Sequence, residues 1–169
     1  MSETEICMNF ITPAIEKSNW IKKQVRMNVY FTDGRITIAG KTVKRGRRNF
    51  ADYILEYKPN MPLAVIEAKD NNHSIGGGMQ QGLEYAEKLD LPFVFSSNGD
   101  GFIFHDRETG KEINLSLDKF PTPKELWEKY KKYKGITEKI EDTITSDYFY
   151  DPGFKQPRYY QRIAINRTI

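Results

Sequence analysis

Cysteine, histidine and long apolar runs are scarce in this chain, and each scarcity excludes a class of protein. The single cysteine, Cys7, allows no intramolecular disulfide and fits a reducing compartment. No run approaches the roughly 18 apolar residues of a membrane span, and the acidic start MSETE is unlike a signal peptide. His73 and His105 are not spaced as metal ligands. We therefore expect a soluble cytoplasmic protein with no membrane partner.

The composition suits one globular domain, or one domain with a short extension, in a chain of 169 residues. Hydrophobic residues make up 38% of the chain and charged residues 29%, which is enough for a core with a solvated surface. The formal net charge of +3 is mild. A nucleic-acid partner would therefore depend on local clustering of the basic residues.

The predicted elements follow the order helix, several strands, helix, strands and helix, which indicates a mixed α/β (α+β) fold with a central mixed sheet. Residues 3–17 show helical spacing of apolar positions, interrupted by Pro13. Alternation on both sides of Asp33-Gly34 predicts a hairpin, and KTVKRGRR after it predicts a basic loop. Glycines 76–78 lack the lysine and Ser/Thr of a P-loop and predict a flexible approach to the next helix. TPKE at 122–125 predicts a capping box.

The stretch PLAVIEAKD carries the candidate chemistry, because an apolar strand ends there in charged residues. Residues two apart on a strand share a face, so Glu67 and Lys69 project together, with Ala68 facing the other way. Asp52 lies in the preceding strand, FADYIL, which a short turn connects to this one. Two carboxylates and a backbone carbonyl such as that of Ala68 could share Mg²⁺ with waters. A structural salt bridge between Glu67 and Lys69 is the alternative.

These pieces resemble the nuclease motif of the PD-(D/E)xK superfamily. Asp52 and Glu67-Ala68-Lys69 match its acidic residues and lysine, and Gln81 with Tyr85 in QQGLEYA is similar to the element of the RecB-like branch. The whole chain resembles the N-terminal domain of the R (restriction and motor) subunit of type I restriction enzymes. The similar segments are SETE…ITPAIEKSNW, ADYIL, PLAVIEAK, QGLEYAEKL, PFVFSSNG and PTPKELW.

Two positions depart from the motif. Ala51 stands where the motif usually begins with proline, and Asp70 adds a negative charge directly after the lysine.

The resemblance implies a restriction-endonuclease-like core and assigns roles to named residues. Asp52 and Glu67 would bind the metal, and Lys69 would assist catalysis. An acidic residue of the first helix would support the metal through water, with Glu3 the better match and Glu5 the weaker.

The helical and basic residues receive roles in DNA contact. Gln81 and Tyr85 share one helix face at i and i+4 and would position the DNA or the helix. The basic loop is a solvated segment or a set of phosphate contacts, and the candidate contacts are Lys44, Arg45, Arg47 and Arg48.

The resemblance also implies how the chain is divided. Residues 1–145 would form the nuclease domain, and residues 146–169 a linker with the start of a truncated helicase motor. The tail PRYYQRIAI is similar to the glutamine-bearing motif before the ATP-binding loop of that motor. The chain also ends in what resembles the first residues of a helix. We therefore expect a piece cut from a longer protein.

The implied function is metal-dependent hydrolysis of phosphodiester bonds in double-stranded DNA, without sequence readout by this domain. Mg²⁺ would be the cofactor, Mn²⁺ a substitute, and ATP would serve only the full-length parent. The partners would be DNA and the modification (methyltransferase) and specificity subunits, in a bacterial or archaeal cytoplasm. Two alternatives remain open: a non-catalytic module that contacts DNA or docks on the motor, and a structure-selective repair nuclease of the same superfamily.

Overall fold

The computed structural model describes residues 1–32, 36–39, 42–45 and 48–146 and the positions 161 and 164, with backbone alone for 36–39 and 42–45. The predicted linker and motor segment, 146–169, lies almost wholly outside this part of the chain. The strands are β1 Val25–Thr32, β2 Ile36–Ala39, β3 Thr42–Arg45, β4 Arg48–Glu56, β5 Pro62–Ala68, β6 Phe93–Ser97, β7 Phe102–Asp106 and β8 Lys111–Leu115. The helices are α1 Glu3–Ile6, α2 Thr12–Lys17, α3 Met79–Leu89, α4 Pro123–Lys134 and α5 Glu138–Ile144.

Six of the strands form one mixed sheet in the order β1-β4-β5-β6-β7-β8. Only the central β5–β6 pair is parallel, and α3 makes the crossover between these two strands. The neighbours on both sides are antiparallel. The predicted mixed α/β fold with a central mixed sheet is confirmed.

Helices cover both faces of this sheet. On one face the N-terminal helices and α4 bury Ile15, Trp20 and Trp127 against the inward side chains of the central strands. On the other face α3 packs on Val65 and Val94. The molecule therefore has three layers, and β5, which carries the candidate residues, lies between two of them. No helix among the described residues is long and apolar enough to cross a membrane.

The predicted hairpin across Asp33-Gly34 is wrong. β1 pairs with β4 instead, antiparallel from Val25↔Leu55 to Thr32↔Arg48, and β2 pairs with β3. Part of the predicted basic loop is therefore strand. Alternation identifies a strand but not its partner, and the nine-residue β4 offers β1 a longer ladder than the four-residue β2. Asp33 and Gly34 themselves lie outside the described residues.

The first and last predicted helices agree with the structure, with one refinement. Residues 3–17 are helical throughout, but the helix widens into a π turn at Cys7–Ile11 before Pro13 enters the first turn of α2. The capping box of α4 is present, since the Thr122 hydroxyl accepts from Glu125 N–H and the Glu125 carboxylate accepts from Thr122 N–H. This helix ends at Gly135, which has φ +63°.

Two glycines allow α3 to approach the sheet closely. A Cβ at Gly78 would lie 2.9 Å from Glu67 Cβ, and one at Gly82 would lie 2.6 Å from Val94 Cγ1. The glycine stretch was predicted as a flexible approach to the helix. The structure instead gives Gly78, its last residue, a steric role at the buried N-cap of α3.

Gly82→Ala should destabilise the domain although alanine favours helices. The helical preference is worth about 1 kcal/mol, whereas forcing a methyl group against the fully buried Val94 costs about 1–3 kcal/mol. Chemical denaturation should show a net loss for Gly82→Ala and little change for the exposed Gln80→Ala in the same helix. A more stable Gly82→Ala protein would show that the helix shifts away freely.

Candidate active site

The sheet separates at Asp52, and its carboxylate enters the gap. β4 and β5 are paired from Glu56↔Pro62 to Tyr53↔Ile66. Beyond this point Asp52 Oδ2 accepts a hydrogen bond of 2.8 Å from Ala68 N–H, so a side chain replaces the strand partner. On the other side of β4, the β1–β4 register pairs Met27 with Tyr53 and Val29 with Ala51 but does not pair Asn28 with Asp52. Asn28 has φ +50°. The irregularity places Asp52 at the end of β5.

Among the residues that the structure describes, one oxygen of the buried Glu67 carboxylate has no hydrogen-bond partner. Glu67 is 1% exposed, and its Oε1 atom accepts no hydrogen bond from a described residue. Burial and, to a smaller extent, the negative charge of Asp52 raise the pKa of Glu67 to about 9. An orphaned, buried carboxylate oxygen costs free energy unless a cation or proton joins it.

Asp52 and Glu67 together offer an oxygen-only donor set. Burial also raises the pKa of Asp52, partly offset by its hydrogen bond from Ala68 N–H, and the charge of Glu3 adds repulsion. Among the described residues, no three His, Cys, Asp or Glu side chains lie close enough to form a metal cluster on their own. A cation here would therefore need a backbone carbonyl, water or a phosphate besides the two carboxylates. Hard oxygen ligands of this kind suit Mg²⁺.

Lys69 does not pair with Glu67. Its Nζ donates to Gln81 Oε1 at 3.1 Å and lies 3.6 Å from Glu3 Oε1. The amide of Gln81 in turn donates from Nε2 to the Tyr85 hydroxyl at 3.0 Å. The predicted same-face relation of Gln81 and Tyr85 is thus present, and it forms a hydrogen-bond chain that ends on the lysine.

The first helix brings Glu3, and not Glu5, to this edge. Glu5 is occupied at the helix start, where its carboxylate accepts from Ser2 N–H at 2.7 Å and from the Ser2 hydroxyl at 3.0 Å. The Glu3 carboxylate is free of the capping box and reaches Lys69. The candidate site therefore draws on four elements: α1, β4, β5 with the residue after it, and α3.

Sequence reasoning missed Ser96, which is fully buried beside the site. Ser96 stands opposite Glu67 in the β5–β6 register. Its hydroxyl donates to Ile75 carbonyl at 2.6 Å and accepts from Gly78 N–H at 3.0 Å. Ser96 therefore fixes the loop that leads into α3. A polar residue at the end of the apolar run PFVFSS was the available signal.

The loop after Lys69 uses the charge of Asp70 locally. Its carboxylate accepts from Asn72 N–H at 2.9 Å and lies 2.9 Å from His73 Nδ1. These hydrogen bonds lower the pKa of Asp70. The added negative charge is therefore engaged in a turn rather than with the lysine.

The basic candidates are only partly visible. Lys44 and Arg45 lie on β3, their side chains outside the described residues, and Arg47 lies outside them altogether. Arg48 is exposed at the first position of β4.

A family model described as "Type I restriction enzyme R protein N terminus" matches residues 1–113. The chain belongs to this family. The type I restriction enzyme EcoAI endonuclease subunit of Escherichia coli is 47% identical over 174 residues, which is 100% of this chain and 22% of that subunit. This R-subunit N-terminal domain thus spans about a fifth of the curated relative it matches.

A solved structure supports the same family. A fragment described as an HsdR subunit of a type I restriction enzyme from Vibrio vulnificus YJ016 is 40% identical to this chain, with a TM-score of 0.84. The match covers 99% of this chain and 32% of that one. The mixed sheet flanked by helices is therefore a feature shared with this R-subunit fragment.

Glu67→Gln should stabilise the metal-free domain at alkaline pH by about 1–3 kcal/mol, because it removes an unpaired buried charge. The folded pKa of about 9 lies above the ordinary value of 4.5. The contribution of protonated Glu67 to the free energy of unfolding is therefore fully present below about pH 4.5 and is lost as the pH rises toward 9.

Denaturant unfolding in EDTA across this pH range should show a falling free energy for the parent and a flatter curve for Glu67→Gln. The exposed Glu87→Gln on α3 is the matched control and should follow the parent. Parallel curves for all three proteins would contradict a raised pKa of the buried Glu67 carboxylate.

Proposed function

We propose that this domain is a metal-dependent endonuclease that hydrolyses phosphodiester bonds of double-stranded DNA. The single observation that carries the proposal is the orphaned, buried oxygen of Glu67 beside Asp52. A structural role for Glu67 would call for a partner, and Lys69, two residues further along the chain, is bonded to Gln81 instead. Membership of the R-subunit family supports the same activity.

Asp52 and Glu67 would hold Mg²⁺, or Mn²⁺ in its place, with the carbonyl oxygen of Ala68 as a further ligand. When bound, such a cation supplies Lewis acidity toward the phosphate and lowers the pKa of water. The attacking water oxygen would form a bond to phosphorus and give up a proton to solvent as the bond to the leaving sugar oxygen breaks, and the leaving oxygen would take up a proton from solvent. Glu3 would support the metal through water.

Lys69 would stabilise the negative charge that develops on the phosphate. Its ammonium is aimed by Gln81, which the Tyr85 hydroxyl orients in turn. Tyr85 is fixed by packing, since its ring meets Phe31 edge-on with centroids 5.0 Å apart. A flexible lysine held in this way needs less ordering at the moment of reaction.

The family membership suggests how the domain is used. We infer that the parent assembly supplies target choice through its specificity subunit and protects DNA through its modification subunit. ATP would serve the motor of the full-length parent and not this domain. The basic residues predicted at 44–48 would contact phosphates, and exposed Arg48 is the described member of that group.

Lys69→Ala should abolish nicking of supercoiled plasmid in Mg²⁺ or Mn²⁺, with a loss of at least about 100-fold. The purified chain and the variant would be compared for folding by circular dichroism before the assay. Lys124→Ala, on the exposed side of α4, is the matched control and should cut as the unmutated chain does. Equal cutting by the unmutated chain and by Lys69→Ala would assign the activity to a contaminant.

Binding of Mn²⁺ separates the nuclease from a non-catalytic docking module that keeps the same fold. Titration calorimetry should show binding that Asp52→Asn and Glu67→Gln each weaken strongly, because each removes a charged ligand. No binding by the parent chain would favour the docking module. Cutting of branched DNA in preference to linear duplex would instead favour a structure-selective repair nuclease.

Gln81→Ala should lower the cleavage rate about 10-fold with little change in DNA affinity, because it frees Lys69 without removing its charge. Tyr85→Phe should have a smaller effect in the same direction. Single-turnover cleavage measured beside equilibrium binding separates the two quantities. A loss confined to DNA affinity would place Gln81 in contact with DNA instead.

A further inference from the structure

An aromatic pair stands exposed on the β1–β4 strands. Tyr30 and Phe50 are cross-strand neighbours, with ring centroids 5.5 Å apart and planes tilted by 53°. Tyr30 is 51% exposed and Phe50 is 55% exposed, and no other aromatic side chain in the described part of the chain is exposed to this degree. Adjacent exposed aromatic rings are typical of a surface that something covers.

The aromatic pair lies on the face of the sheet that the N-terminal helices and α4 cover, just beyond those helices. Phe31 and Ala51, its chain neighbours, are buried in the α3 core, so the pair projects from the opposite face. On that face Tyr53 is buried, and its hydroxyl donates to the carbonyl of Cys7 at 3.2 Å. The N-terminal helices therefore cover the sheet as far as Tyr53 and leave the aromatic pair bare.

The aromatic pair adjoins the candidate active site and follows a basic stretch of the sequence. Phe50 precedes Asp52 by two residues on β4. Arg48, two residues before Phe50, is exposed, and the sequence from 41 to 48 contains five basic residues and no acidic one. Arg48 and Phe50 share a face of β4, and an exposed cation beside aromatic rings suits a polyanion that also carries flat π faces. An apolar protein segment would instead bury the charge of Arg48 without a partner.

We propose that Tyr30 and Phe50 form a stacking contact for unpaired DNA bases next to the phosphodiester that is cut. This inference rests on the proposed nuclease function and extends it from phosphates to bases. Stacking on an aromatic face tolerates every base, which agrees with a domain that does not read sequence. In duplex DNA the contact requires bases to leave the stack, so the pair favours DNA that is already opened or distorted.

The test is binding of two fluorescent DNAs of equal length, one intact duplex and one with a short central single-stranded gap. Anisotropy would be measured in EDTA, where no cleavage occurs, at several salt concentrations. The parent chain should prefer gapped DNA, and the double variant Tyr30→Ala/Phe50→Ala should lose about 10-fold in affinity for it. The slope of log affinity against log salt should stay unchanged, because no cationic contact is removed.

Two further variants make the result specific. Arg48→Ala should weaken both DNAs alike and reduce the salt slope by about one phosphate contact. Ile113→Ala, a 40% exposed apolar residue on the far edge strand β8, should bind as the parent does. Both aromatic side chains are half exposed, so the double variant should fold, and its circular dichroism should match the parent.

The outcomes separate this proposal from the nuclease itself. No preference of the parent for gapped DNA, or a preference that survives in the double variant, would overturn the stacking contact. Loss of gapped-DNA preference in the double variant supports it even in a protein that fails to cut, since binding in EDTA is independent of cleavage.

Discussion

The buried carboxylate of Glu67 is the constraint on which the site depends. Gly78 and Gly82 bring α3 against it, Ser96 fixes the loop before α3, and Asp52 adds a second negative charge at the separated strand end. A fold selected for stability alone would fill this position with an apolar side chain. The domain instead keeps a destabilising group in its interior, which is how functional sites commonly differ from the core around them.

The separation of the sheet at Asp52 has two structural results. It frees the Asp52 carboxylate to bond to Ala68 N–H, so that this carboxylate comes to the end of β5. It also changes the side-chain alternation of β1 and β4, so that Phe31 and Ala51 face the α3 core and the exposed Tyr30 and Phe50 face the other way. A regular ladder with paired Asn28 and Asp52 would give neither feature, so one irregularity connects the candidate metal site with the neighbouring surface.

Local patterns in the sequence predicted the parts of the site that depend on local geometry. The alternation of side chains along a strand correctly placed Ala68 on the opposite face from Glu67 and Lys69. Helical spacing correctly placed Gln81 beside Tyr85. The strand partner of β1 was predicted wrongly, because register between distant segments depends on the total length and burial of the ladder. The roles of Ser96 and Gly78 were missed for a similar reason: both depend on contacts between elements far apart in the chain.

The contacts of Lys69 explain why the site needs the whole fold. Its ammonium is held by Gln81 from α3 and lies near Glu3 from α1, while Glu67 Oε1 on β5 has no hydrogen-bond partner among the described residues. Removing α1 would take away the acidic neighbour, and loosening α3 would release the lysine while also uncovering Glu67. The two carboxylates stand on strands β4 and β5, whereas the neighbours of Lys69 stand on helices α3 and α1. A rearrangement of α1 alone would alter the charge around Lys69 and leave the two carboxylates in place.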